Sequence, residues 1–275
     1  MNEYKMNSNL MKKYWLFFKT NFQNALEYRG DLFFSSVMKI GVFSAFAVLW
    51  IRLDREGKVI DNYGLNGILF YYLISQIFNA FTTSRTAKDI RRNIHEGLLS
   101  SKLVKPVNIR LYFLCKHFAR ILSELMINST LVIPGLLLAP YLFSNLNISF
   151  ISVIQFVIFA LLSSTFGFCL YLLVGMVAFW TKQAHGVQMM VRNGSKFFTG
   201  FYIPLDLLPL WFQNISTILP FQYMLFFPIK VLMEGVSFTE SLESISIISL
   251  WIIAFIVLNY IVWKKGLKKY ESVGI

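Results

Sequence analysis

Residues 84–106 read SRTAKDIRRNIHEGLLSSKLVKP, a short basic segment set between two long apolar runs. Ala87, Ile90, Ile94 and Leu98 recur at three- and four-residue spacing, which gives a short helix one apolar face. Lys88, Arg91, Arg92 and Glu96 fall on the other faces, Gly97 loosens the helix end, and Pro106 terminates the segment. A surface helix held between two membrane spans is a lever, because a push on it from the cytoplasm moves both spans. Spacing alone equally describes a positively charged cytosolic loop of the kind most membrane proteins carry. The sequence on either side decides how the segment is read.

Of the 275 residues, 56% are hydrophobic and 17% aromatic, and only 15% are charged. Soluble domains carry about a quarter charged residues, so this is a membrane composition. A net charge of +12 would suggest nucleic acid in a soluble protein. Here the cations sit beside apolar runs, which points to anionic lipid head groups and to topology. No RNP-like or zinc-finger spacing supports a nucleic-acid partner. Cys115 and Cys169 fall in or next to apolar runs, so no structural disulfide is expected. Nothing before Leu32 resembles an apolar signal core with a cleavage site, and no removable leader is expected.

The pattern predicts an all-α, polytopic membrane protein forming one transmembrane domain over residues 1–275. Residues 14–28 form an amphipathic helix, with Trp15, Phe18, Phe22 and Leu26 on one face, suited to the inner head-group layer. Six transmembrane helices are expected at 32–51, 64–83, 111–143, 150–180, 187–203 and 245–263, each compared with the about 20 residues a bilayer core requires. The third is over-long, and Pro134 with Pro140 should kink or end it. In the fourth, Ser163, Gly167, Tyr171 and Gly175 repeat every four residues, a partly small face for close helix contact. Residues 204–236 are apolar but broken by Pro204, Pro209, Pro220 and Pro228, and read as short re-entrant or interfacial helices on the outer side.

Orientation is read by counting cations. With both termini cytoplasmic, nineteen Lys and Arg lie inside and four, Arg52, Arg55, Lys58 and Lys230, lie outside. This is a strong positive-inside bias, expected of a multi-pass protein of the cell membrane.

Three motifs carry a resemblance. Glu96-Gly97-Leu98-Leu99 with Leu103-Val104-Lys105-Pro106 resembles the cytosolic segment after the second span of ABC-2 type transporter permeases. Gly200-Phe201-Tyr202-Ile203-Pro204-Leu205-Asp206-Leu207-Leu208-Pro209, then Trp211 and Leu219-Pro220-Phe221, is similar to that family's stretch between spans five and six. The run from Trp263 to Gly274 resembles the tail of its six-span members, which are usually encoded beside a separate ATPase. The three lie in the family's order on a matching six-span plan and cover essentially the whole chain.

The resemblance implies a dimer of six-span subunits, identical or related, with a connecting helix before span one and a coupling helix at 85–99. It also implies export, driven by a separate ABC ATPase. No G-x-x-x-x-G-K-[ST] occurs, so this chain is expected to be no enzyme and to hold no cofactor; ATP and Mg would lie on the partner. Lys88, Ile90, Arg91, Arg92, Ile94, Glu96 and Leu98 are the expected contacts to that partner, with Ile90, Ile94 and Leu98 filling its groove or facing lipid.

Within the fifth span, Gln188, Arg192, Lys196 and Gly200 are four apart, with Ser195 and Thr199 adjacent. Cations inside a span are costly unless they face protein or water, so the stripe is expected to line the translocation path. Pairing of Arg192 and Lys196 with acids, or snorkelling to an interface, is the competing account. Lys39 and Glu124 form a candidate intramembrane ion pair, structural in role rather than a proton relay. His95, His117 and His185 lack ligand spacing, so no metal site is expected. A secondary transporter driven by ion gradients and an intramembrane lipid-modifying enzyme are the alternatives that composition leaves open.

Overall fold

The computed structural model describes residues 2–27, 29–57, 63–142 and 148–270, leaving out the side chains of 2–11, 29, 31–33, 35–36 and 127–142. All regular structure among the described residues is helical. The α-helices are α1 (Asn2–Glu27), α2 (Arg29–Arg55), α3 (Gly64–Thr82), α4 (Thr86–His95), α5 (Leu98–Leu103) and α6 (Ile109–Leu142). They continue as α7 (Phe150–Met176), α8 (Ala184–Phe198), α9 (Leu210–Ile218), α10 (Phe226–Glu234) and α11 (Phe238–Lys269).

Helix α7 is the axis of the packing, with α3, α4, α10 and α11 all laid against it. Its small face makes that possible. A Cβ on Gly175 would stand 2.9 Å from Ala87 Cα, and one on Gly167 would stand 2.9 Å from the Thr82 carbonyl oxygen. Polar links complete the contacts where apolar surroundings offer no water. Ser163 Oγ donates to the Tyr223 carbonyl at 2.8 Å, and Asn259 Nδ2 of α11 donates to the Cys169 carbonyl at 2.9 Å.

Two helical stretches, Phe150–Phe179 and Phe238–Lys269, are by themselves long and apolar enough to cross a membrane among the described residues. They differ in surroundings. The first is mostly buried in protein, whereas α11 turns Leu250, Ile253, Ile256 and Val257 outward, each at least half exposed. A continuous apolar face of that kind suits lipid tails or a second apolar protein surface.

Several boundaries depart from the sequence reading. The N-terminal helix starts at Asn2, not at residue 14, because no Gly or Pro interrupts the first 29 residues. The segment expected as one helix over 85–99 breaks at Glu96–Gly97 into α4 and α5, with Gly97 at φ 71° in the left-handed region. Pro134 does not end α6, whose backbone stays helical to Leu142. The fifth span, expected at 187–203, is a helix of only 15 residues. At 1.5 Å per residue it reaches about 22 Å, less than the bilayer's hydrocarbon core. The chain turns at Thr199–Gly200 and returns into the protein, where Tyr71 of α3 donates to the Gly200 carbonyl at 2.7 Å and Tyr72 donates to that of Tyr202. The proline-broken stretch then forms α9 and α10 with 3-10 turns at Leu205–Leu207 and Pro220–Met224.

Candidate coupling and translocation site

Helix α4 packs against α7 and α8 with one face buried. Thr86, Ala87, Ile90, Asn93 and Ile94 are buried. Ile90 and Ile94, expected to fill a partner's groove or face lipid, are 1% and 6% exposed and pack in a core with Met176, Ala178 and Phe179. They hold the helix to its own chain, and that part of the contact expectation is corrected. The exposed face carries Lys88, Arg92 and Glu96, followed by Leu98 at 43% exposure. Arg92 Nε meets a Glu96 carboxylate oxygen at 2.9 Å, four residues on, and that hydrogen bond pushes the guanidinium's affinity for its proton up.

Three further ties fix α4. Gln188 Nε2 of α8 donates to the Ala87 carbonyl at 2.8 Å. Lys116 of α6 meets Asp89 at 2.9 Å. At the start, the Ser84 hydroxyl accepts from the Thr86 backbone N–H at 3.2 Å, satisfying an amide that would otherwise be left over at a helix start.

The segment after α4 is gripped from both sides. Ser100 Oγ and Tyr270 OH share a hydrogen bond at 3.2 Å. Lys13 Nζ of α1 donates to the Pro106 carbonyl at 2.8 Å, the Asn108 N–H donates to Tyr14 OH at 3.1 Å, and Phe17 meets Tyr112 edge to face. Lys102 lies over the rings of Tyr112 and Phe113 at 5.2 and 5.3 Å, within cation–π range. Burial, and then the neighbouring Lys116, pull its ammonium pKa down. On the other side of α1, Trp15 stacks on Phe18 and Phe18 on Phe22 in an aromatic row. Nothing in periodicity announced Lys13, Tyr14, Ser100 or Tyr270, since each contact joins residues 90 or more positions apart.

The stripe on α8 does not stay together. Gln188, Ser195 and Thr199 are buried in the protein, Arg192 is exposed, and Lys196 is half-buried. Lys196 Nζ lies 4.5 Å from the Phe201 ring centre, a cation–π contact in place of an acidic partner. Lys39 and Glu124 do come to one place, but not as a pair. Glu124 is held by Arg120 Nε at 3.0 Å within its own helix, and Lys39 lines the same cleft without a salt bridge to it.

That cleft, of about 510 Å³, runs between α4 and α8 and is closed by α2, α3, α6 and α7. It brings together Lys88 and Arg91 of α4, Gln188 and Arg192 of α8, and Lys39 with Glu124. Two groups of residues that the sequence kept separate thus share one cavity. The histidines do not meet: His117 bonds Ser164 in the core, and among the described residues no three His, Cys, Asp or Glu gather as a metal site.

A family model described as ABC-2 family transporter protein matches residues 39–274. The chain belongs to that family. Comparison with curated proteins and with solved structures returned no match. ABC-2 permeases are membrane components of transport systems and generally pair with an ATPase subunit. The matched region contains the whole of α3 to α11 and begins inside α2, so the clamp supplied by α1 lies outside it.

Proposed function

We propose that this ABC-2 permease is the membrane subunit of an ATP-driven exporter, with both termini in the cytoplasm and α8, shorter than the hydrocarbon core, as the fifth of its six crossings. A separate ATPase docks on the outward face of α4 and α5, and its closure works the spans through them. A second permease chain, identical or related, completes the path. The observation that carries this reading is the mounting of α4. Its inner face is fastened to α6, α7 and α8 at once through Asp89, Ala87, Ile90 and Ile94, while Lys88, Leu98 and the Arg92–Glu96 pair stay exposed. A helix held so cannot move without carrying three others.

Arg192, exposed on α8, and the half-buried Lys196 support a path for an amphipathic substrate, because neither has an acidic partner among the described residues. Residues 204–236 cap that path on the outer side.

The docking is tested with Arg92→Glu and Leu98→Asp combined, both exposed and neither lining the cleft. The tagged chain, purified from its native membrane, should bring a P-loop ATPase and its hydrolysis activity with it. The double variant should lose both while reaching the membrane in equal amount. Retention of the ATPase by the variant, or its absence from the parent, overturns the proposal.

A further inference from the structure

The cleft between α4 and α8 carries more charge than a lever requires. Lys39, Arg85, Lys88, Arg91 and Arg192 line it against one acid, Glu124. That acid is already held by Arg120 at 3.0 Å, and Asp89, the acid of α4, is held by Lys116 at 2.9 Å. Among the described residues none of the five lining cations has an ion-pair partner. Arg91 Nε is buried and donates to no described group. Arg192, for want of an oxygen, directs an N–H at the thioether sulfur of Met189 at 3.0 Å.

Like charges gathered around one cavity repel, and the positive potential they create concentrates anions there. An unsatisfied buried N–H is costly, and more so on a charged group. Guanidinium groups match the geometry of phosphate oxygens, with two parallel hydrogen bonds from one side chain. A cavity of about 510 Å³ accommodates a phosphate ester together with a small head group. Two of the helices that line it carry exposed apolar side chains: Met38 and Ile40 on α2, and Met190 and Phe197 on α8.

We infer that this cleft binds the phosphate group of an acylated amphiphile, with Arg91 and Arg192 on the phosphate, Arg85 and Lys88 at the exposed rim, and the acyl chains along α2 and α8. The inference rests on the permease reading only for the side of the membrane from which the amphiphile enters. Because Lys88 and Arg91 belong to α4, an occupied cleft touches the lever directly.

The test is binding by the full chain in a neutral detergent, without any ATPase, followed as the shift of its melting temperature. Phosphatidylglycerol should raise the melting temperature more than phosphatidylcholine does. Arg91→Gln with Arg192→Gln should move the phosphatidylglycerol titration midpoint up by about tenfold, in line with the loss of two charge-assisted contacts. Lys88→Glu, at an exposed site where folding is safe, should weaken it in the same direction, and Lys265→Gln, outside the cleft, should not. An unchanged midpoint in the Lys88 and double variants overturns the cleft as the site. An equal response to inorganic phosphate alone overturns the amphiphile and leaves a soluble phosphate as the ligand. Since no ATPase or transport enters the measurement, failure of the exporter reading would show in the co-purification and not here.

Discussion

Gln188 reaches from α8 to the backbone of α4 and donates its side-chain N–H to the Ala87 carbonyl at 2.8 Å, with both residues buried. This bond crosses 101 positions of sequence and joins the lever to the helix proposed to line the path.

Gln188→Leu keeps the volume and removes the donor. It should destabilise the chain by about 1 kcal/mol, the usual net worth of such a bond. Transport should fall well beyond what that loss explains, while the ATPase still co-purifies. Measuring transport and co-purification side by side separates the two, and unimpaired transport would remove Gln188 from the linkage.

Gly175→Val puts a side chain where Ala87 Cα would be 2.9 Å from the new Cβ and Ile90 Cβ 3.1 Å. Overfilling a packed contact costs about 1–3 kcal/mol. Here the relief must come from lifting α4, so ATPase binding should weaken along with the melting temperature. A variant as stable as the parent and with full ATPase binding would contradict the close approach.

Tyr270→Ala removes the hydroxyl bonded to Ser100 and the ring that meets Phe179 edge to face at 6.1 Å. Tyr270→Phe removes the bond alone. The Phe variant should keep most of the stability and the Ala variant lose about 3 kcal/mol or somewhat less, as expected for a half-buried aromatic. Amide exchange over residues 98–103 should rise in the order parent, Phe, Ala.

Lys102 holds its proton less tightly than the usual 10.5, through burial first and Lys116 second. The folded chain therefore releases this proton at a lower pH than the unfolded chain does. Stability should rise as pH climbs toward 10.5, where the folded form is neutral and the unfolded form still charged. Lys102→Met should flatten that rise in melting temperature, and an identical slope in the two proteins would exclude Lys102 as its source.

The helical, membrane-type character was legible because apolar runs and cation placement act locally. So was the segment around α4, from the spacing of Ala87, Ile90 and Ile94. What spacing could not say is which way the apolar face turns. A periodic face specifies burial but not the burying partner, and Ile90 and Ile94 meet α7 and its extension within this chain. The stripe on α8 failed for a related reason: residues four apart share a face only as far as the neighbours on both flanks allow. Here α4 and α7 cover Gln188 and Ser195 while Arg192 stays open. The early end of α8 is set by Gly200 at φ 79°, next to carbonyls that Tyr71 and Tyr72 cap from α3. No local pattern names those tyrosines.

The turn beyond α4 is gripped by Lys13 and Tyr14 on one side and by Tyr270 on the other. These grips emerge from the ribosome at opposite times. The segment after α4 thus has all its grips only once synthesis has passed residue 270. The proposed ATPase would find its seat complete only on a finished chain.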